Sequence, residues 1–458
     1  MKNKLQIIIF FLPLLLAACA EDFLDIKRDK KQVIPVTIAQ QQALLDNTTE
    51  INLNGSLVLN VIGREEYTIT QSAWELLPAA VDRNAYLWAA DIFEGSESED
   101  WNNAYKRVLY ANTALDRIIN ISPSASEQAA WDNVKGSALF IRSFAFYQLL
   151  QSFCKPFDSR TSATDPGIPL RLEADITLPV NRATVEAGYR QVVNDLKVAV
   201  PLLPQVAVHK MRPSRAAAYA LLAKTLLHTG DYTSAKVYAD SCILVSGGLL
   251  DYNSLDISLR YVFSGMRYGE GNPEVLYHQT IPGHTVVNAT RFILNRDLYE
   301  LYDSGDIRKS AFFFLTSGNY SFKGSYSGAY AFFSGLALDE IYLLRAECYA
   351  RMGQLDEGLE DLNALRRKRY QASGFTLYTT ADQQALLKKI VDERRKQLLC
   401  RGTRWEDLRR LNRETIHAVA LERNLNGQNY RLNPGSLRYI WPIPDNVIKA
   451  SGIIQNGR

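Results

Sequence analysis

Apolar residues along the middle of the chain recur at helical rather than strand spacing. Val134, Ala138, Ile141, Ala145 and Leu149 follow one another at intervals of four, three, four and four, which puts all five on one stripe of an α-helix. Three helix starts carry a hydroxyl residue with Glu or Gln three positions on, so that each side chain can satisfy a free backbone N–H of the other residue. These are Ser96 with Glu99, Ser124 with Glu127, and Thr380 with Gln383. Helices are therefore predicted over 99–120, 126–153 and 382–400. A further helix opens after Pro213-Ser214 and runs from Arg215 to Thr229, where Gly230 ends it.

Two helical stretches share one spacing. Ala223 is followed by Gly230 seven residues on and Ala235 five beyond; Ala346 is followed by Gly353 and Gly358 at the same offsets. Small residues there let two antiparallel helices approach, with glycine ending the first, a unit that resembles the tetratricopeptide repeat. More than one unit length separates the two, so the array is interrupted in sequence. From Gly247 to Gly335 the chain is rich in Gly, Tyr, Phe, Ser and Asn, with Pro273 and Pro282 as breakers, which reads as loops and short strands. Residues 51–95 are irregular in the same way. The pattern predicts a mainly α protein of helical pairs with loop-rich, short-strand insertions, and large irregular excursions of this kind are where function is most often carried.

The amino terminus is a separate element. Lys2 and Lys4 precede a twelve-residue apolar run from Ile7 to Ala18, too short to span a bilayer but suited to a signal peptide. It ends in Leu16-Ala17-Ala18-Cys19, which resembles a bacterial lipobox. Residues 1–18 then form the signal and Cys19 is the lipid attachment point, anchoring the protein without a transmembrane helix. Ala20-Glu21-Asp22 resembles the acidic export signal of surface lipoproteins in the Bacteroidota. Cys154, Cys242, Cys348 and Cys400 lie among apolar residues with no paired spacing, and are expected as buried single thiols. The full chain has 458 residues and a net charge of +3; without the leader, which holds Lys2 and Lys4 and no acid, the charge is +1. That near-neutral balance excludes a nucleic-acid footprint.

Catalytic constellations are missing from the pattern. His209, His228, His278, His284 and His417 form no metal-ligand spacing, and neither a nucleophile elbow nor a phosphate-binding loop occurs. No enzyme, cofactor or metal is expected, although a pair of carboxylates for glycoside hydrolysis stays open at this point. Glu65-Glu66 and Glu97 to Asp100 read as solvated or capping, and the alternating charges of Lys388 to Lys396 as a solvated helix face. The chain holds 24 Tyr, 18 Phe and 6 Trp, enough to supply flat faces for stacking on sugar rings as well as a core. Candidates for ligand contact are Trp74, Asp82, Arg83, Asn84, Tyr86 and Trp88 in the first irregular region. Tyr261, Tyr268, Tyr320 and Tyr326 are the candidates in the second. Trp101, Trp131, Trp405 and Trp441 sit in helical or terminal motifs and are expected in the core.

Ordered motifs along almost the whole chain resemble the SusD/RagB family of outer-membrane nutrient-binding lipoproteins. They are Asp22-Phe23-Leu24-Asp25; Trp101 to Tyr105 with Ala111-Asn112; Gly136 to Arg142 and on to Leu149; Glu393-Arg394-Arg395 to Leu398; Gly402 to Arg410; Pro442-Ile443-Pro444; and Gln455-Asn456. Ser143 stands where the family has Ala, and Cys400-Arg401-Gly402 lacks its usual acid before Gly. The resemblance implies one SusD-like domain over 19–458, a tetratricopeptide-like helical-pair scaffold with loop-rich, short-strand insertions forming a ligand face, comprising an N-terminal half 19–246, a loop-rich insertion 247–335 and a C-terminal helical part 336–458. It also implies a non-catalytic surface protein delivering a glycan to a SusC-like TonB-dependent transporter, with structural roles for Glu393, Arg394, Arg404 and Asp407. Two alternatives are a peptide ligand, as in some branches of the family, and an envelope scaffold that binds only protein.

Overall fold

The computed structural model describes residues 36–288 and 291–458; Cys19 and the leader lie outside the described residues. The principal helices are α1 (Glu99–Ile118), α2 (Gln128–Phe153), α3 (Val185–Leu202), α4 (Arg215–Thr229), α5 (Tyr232–Leu244), α6 (Leu338–Arg351), α7 (Leu355–Arg367), α8 (Gln383–Gln397) and α9 (Thr403–Leu411). Consecutive members from α1 to α7 pack side by side, and α8 closes on α6 and α7. The array interrupted in sequence is thus continuous in space, because α5 lies directly on α6 although the chain wanders between them.

The two repeated units end their first helices identically. Gly230 (φ 80°) and Gly353 (φ 79°) are left-handed, a conformation glycine adopts without steric cost. In each, the glycine N–H bonds back three residues and the next N–H bonds back five: Gly230 to Leu227 and Asp231 to Leu226, Gly353 to Ala350 and Gln354 to Tyr349. At the third small position, a Cβ on Gly358 would come within 3.2 Å of the Ala346 carbonyl, so the small residue is what seats α7 on α6.

Helix caps differ from expectation. Ser98, not Ser96, caps α1 by accepting from Trp101 N–H at 3.3 Å. Asp382 caps α8, accepting from Gln384 and Ala385, while Thr380 only accepts from Asp382 N–H. A carboxylate nearer the helix is the stronger acceptor and wins. Ser124 and Glu127 do meet, at 2.6 Å, in a turn ahead of α2 rather than across its first turn.

Charge is buried in the stack, and two solvated faces expected from sequence are corrected. Glu66 is buried against Arg64 and Glu65 is held by Arg404 at 2.7 Å. Within α8, Glu393, Arg394 and Lys396 are buried, and Lys388–Asp392 is the exposed pair. Glu393 pairs with Arg308 at 2.5 Å, Arg394 with Asp407 at 2.9 Å. Lys224 lies 3.1 Å from both Glu340 and Glu406, and Arg410 and Arg351 both clasp Glu347. Such partners offset the desolvation penalty of several kcal/mol that each buried ion carries alone. Asp100 is likewise buried, accepting from the N–H groups of Val58 and Leu59. Cys154, Cys242, Cys348 and Cys400 are buried free thiols. Cys400, left-handed at φ 63°, accepts from Arg64 at 3.2 Å, and Arg401 pairs with Asp339. Trp405 and Trp441 stack in the core at 4.9 Å, Trp101 is buried too, and Trp131 is half-buried against it.

The two irregular regions form one layer. Tyr67–Thr68 pairs antiparallel with Ile293–Leu294, and Gly55 N–H donates to Thr280 O at 2.8 Å. The remainder of the layer is short two-stranded pieces: Val275–Tyr277 with Leu336–Ala337, Thr280–Ile281 with Phe332–Phe333, and the hairpin Phe313–Thr316 with Asn319–Phe322. Among the described residues no helix is long and apolar enough to cross a membrane.

Candidate functional site

A cleft of about 260 Å³ opens in this layer, between Arg260-Tyr261, the Gly283–Asn288 loop and the segments around Lys323 and Tyr330. It is small beside the roughly 300–1,000 Å³ of pockets that engulf a ligand, so a ligand would lie across it. Its aromatic lining is Tyr261 and Tyr330 with the buried Phe322 and Phe332. Tyr330 is 71% exposed, and one edge of its ring rests on Gly283, where a Cβ would come 2.8 Å from Cδ2. A turn at Gly328 (φ 68°), stitched by Ser327 Oγ to Ala329 O at 3.0 Å, presents the ring.

The polar lining is cationic. Arg260 lies over the Phe314 ring at 3.8 Å and over Tyr261 at 5.1 Å, a stacking that fixes the guanidinium while leaving its N–H groups for a partner. Lys323 donates to Ile257 O at 2.8 Å; burial, with Arg260 adding to it, pulls its ammonium below the usual lysine range. His284 Nε2 sits 3.3 Å from Asp82 Oδ1, and Thr285 Oγ1 donates to Asp82 Oδ2 at 3.2 Å. Burial pushes the Asp82 carboxyl up, His284 opposing it. Among the described residues no cluster of His, Cys, Asp and Glu could hold a metal ion.

Of the ten residues singled out from sequence, Tyr261 lines the cleft and Asp82 braces its His284-Thr285 wall. Three expectations are corrected. Tyr86 and Trp88 are each 1% exposed: the Tyr86 hydroxyl accepts from Ile69 N–H, the Trp88 indole donates to Gly63 O, and Arg423 stacks on both. Tyr326 is buried, donating to Glu274 and 2.9 Å from the Tyr252 hydroxyl. A ring with no solvent face cannot stack on a sugar. Trp74, Arg83 and Asn84 hold their own segment together, bonding to Arg83 O, Leu77 O and Glu94 respectively. Tyr320 is stacked on Tyr299 at 3.8 Å, and Tyr268, 38% exposed, covers the edge of His278; neither lines the cleft. Arg260, His284, Thr285, Lys323 and Tyr330 were not singled out. The one sequence signal for Tyr330 is its place just after a glycine turn.

The geometry can now be set beside known proteins. Residues 22–227 match a family described as starch-binding and associating with the outer membrane, SusD-like, and residues 338–457 match the SusD family. The chain belongs to the SusD/RagB family. SusD-type proteins bind carbohydrate at the outer membrane and are not enzymes, and this chain is accordingly not an enzyme. Solved structures share the fold over nearly all its length. A SusD superfamily protein from Bacteroides thetaiotaomicron is 21% identical with a TM-score of 0.71, covering 92% of this chain and 100% of that one. A Bacteroides vulgatus protein reaches 0.75 at 19% identity, covering 93% and 99%. A SusD-like carbohydrate binding protein from the same species reaches 0.67 at 18%, covering 91% and 97%. No curated protein matches the chain in sequence. The two SusD family matches leave 228–337 between them, and the whole lining of the cleft lies in that interval.

Proposed function

We propose that this SusD/RagB protein is a lipid-anchored capture protein of the outer surface that binds a glycan and passes it to a SusC-like TonB-dependent transporter. The observation that carries the reading is the Tyr330 ring, exposed and backed by Gly283 beside Tyr261 in a cleft with polar walls. Offset or flat aromatic faces suit the apolar side of a pyranose, while Arg260, Thr285 and Asn288 suit its oxygens. The lipobox ending in Cys19 supports an N-terminal anchor. The non-catalytic nature of the family supports capture rather than hydrolysis.

The test is affinity electrophoresis and calorimetry of the purified protein against a polysaccharide panel, with Tyr330→Ala beside it. Retardation by one polymer, weakened at least tenfold in Tyr330→Ala, is the expected result. Retardation unchanged by Tyr330→Ala would remove the cleft from the reading. For the anchor, Cys19→Ala should move the protein out of the membrane fraction. Continued sedimentation of that variant with outer membranes would refute lipid attachment.

A further inference from the structure

The charge of the cleft carries a statement about which glycan it takes, and this rests on the glycan reading above. Its lining holds Arg260, Lys323 and His284 and no carboxylate. Arg291 adds a fourth basic group at the same wall, donating to Thr285 O at 3.1 Å. Among the described residues neither Arg260, Lys323 nor Arg291 reaches an ion-pair partner; Lys323 and Arg291 spend hydrogen bonds on backbone carbonyls, which leave the positive charge in place. The acids nearby are accounted for. Asp82 is buried behind His284 and Thr285 and engaged by both. Asp256, whose field reaches Lys323, is exposed outside the lining and accepts from Ser258.

In the stack, by contrast, Arg394, Arg401 and Arg410 each end on a carboxylate, and Arg107 and Arg409, which have none, are buried with their terminal N–H groups already spent on carbonyl and side-chain oxygens. A cleft that gathers unpaired cations in partly desolvated surroundings has a field that favours an anion. Arg260 is also placed by its ring stacking, so its fork of donors is available for a planar acid group without further ordering. We infer that the ligand is an acidic glycan, carrying carboxylate or sulfate ester groups, whose ring lies on Tyr330 and whose anion meets Arg260 and Lys323. An acidic peptide would meet the same cations but has no flat apolar ring to explain the exposed, glycine-backed tyrosine.

The experiment measures binding of the full-length protein to polygalacturonate, dextran sulfate, neutral dextran, soluble starch and poly-L-glutamate, each at low and at physiological salt. One of the two acidic polysaccharides should bind at least tenfold more tightly than the neutral ones and weaken with salt; which of the two binds tells carboxylate from sulfate. Arg260→Gln, on an exposed residue, should weaken that binding at least fivefold with melting temperature unchanged. Gly283→Ala should weaken it by displacing the Tyr330 ring. Arg190→Gln, an exposed arginine on α3, should leave it unaltered, which separates site binding from general attraction to a polyanion. Binding of starch or dextran, lost in Tyr330→Ala but indifferent to Arg260→Gln and to salt, would overturn the acidic ligand and leave the glycan reading standing. Binding of poly-L-glutamate alone, or of no polymer, would overturn both.

Discussion

Arg394, Arg401 and Arg410 in the helical stack end on carboxylates, whereas Arg260 in the irregular layer ends on the ring of Phe314. Tyrosine divides too, within the irregular layer itself. Tyr86 and Tyr326 are sealed in with their hydroxyls bonded, and Tyr330 stands in solvent with only a glycine behind it. The frame spends its polar groups on itself; the cleft leaves them for something else. Within a single chain, then, pairing of charge separates a load-carrying part from a receptive one more sharply than residue type does.

Substitutions can break that contrast or sharpen it. The largest effect is expected at Glu347, buried between the half-buried Arg351 and Arg410, where Leu would leave them only Glu414 and Asp407. The loss should be roughly 3–5 kcal/mol by chemical denaturation, and a change under about 1 kcal/mol would mean that the stack does not depend on its ion pairs. Truncating the buried Tyr86 to Ala should cost a similar roughly 3–5 kcal/mol. Next comes acid. Burial raises the Glu65 carboxyl, but Arg404 and Arg395 outweigh it and hold the group at about 2, below an unfolded value of about 4.3. Its contribution, on the order of 3 kcal/mol, is complete above the unfolded value and disappears as pH falls through the folded one. The stability gap between the wild type and Glu65→Gln should therefore be widest near neutrality and close toward pH 2; a constant gap would contradict the pairing. Gly353→Ala, at a left-handed cap with open space around it, should cost about 1 kcal/mol. Smallest is Tyr330→Ala, expected within about 0.5 kcal/mol of wild-type stability while ligand binding drops tenfold or more. A large stability loss there would make Tyr330 part of the core and end the contrast.

What could be read from sequence follows the reach of each cause. The span of α4, the two glycine caps and the small-residue spacing are set by neighbours within one or two turns, and they stand where the sequence puts them. The burial of Glu65 escaped because its partner is remote: Arg404 is 339 positions away, and no local pattern tells a solvated Glu-Glu from a clasped one. The same holds for the cleft. Its region was legible from composition, and Tyr261 with it. Whether Tyr86 or Tyr330 faces water depends on Arg423 covering one and Gly283 backing the other, contacts made only once the layer is assembled.

Because α5 packs on α6, the scaffold holds both ends of the long excursion side by side whatever lies between them. Its cost to folding is then that of closing one loop, and doubling such a loop adds only about 0.6 kcal/mol. Lengthening, shortening or rewriting its exposed turns would scarcely be felt by the helices, provided that Arg308 and Glu274 stay to meet the buried Glu393 and Arg369. The architecture thus uncouples the rate at which recognition can diversify from the rate at which the frame is allowed to change.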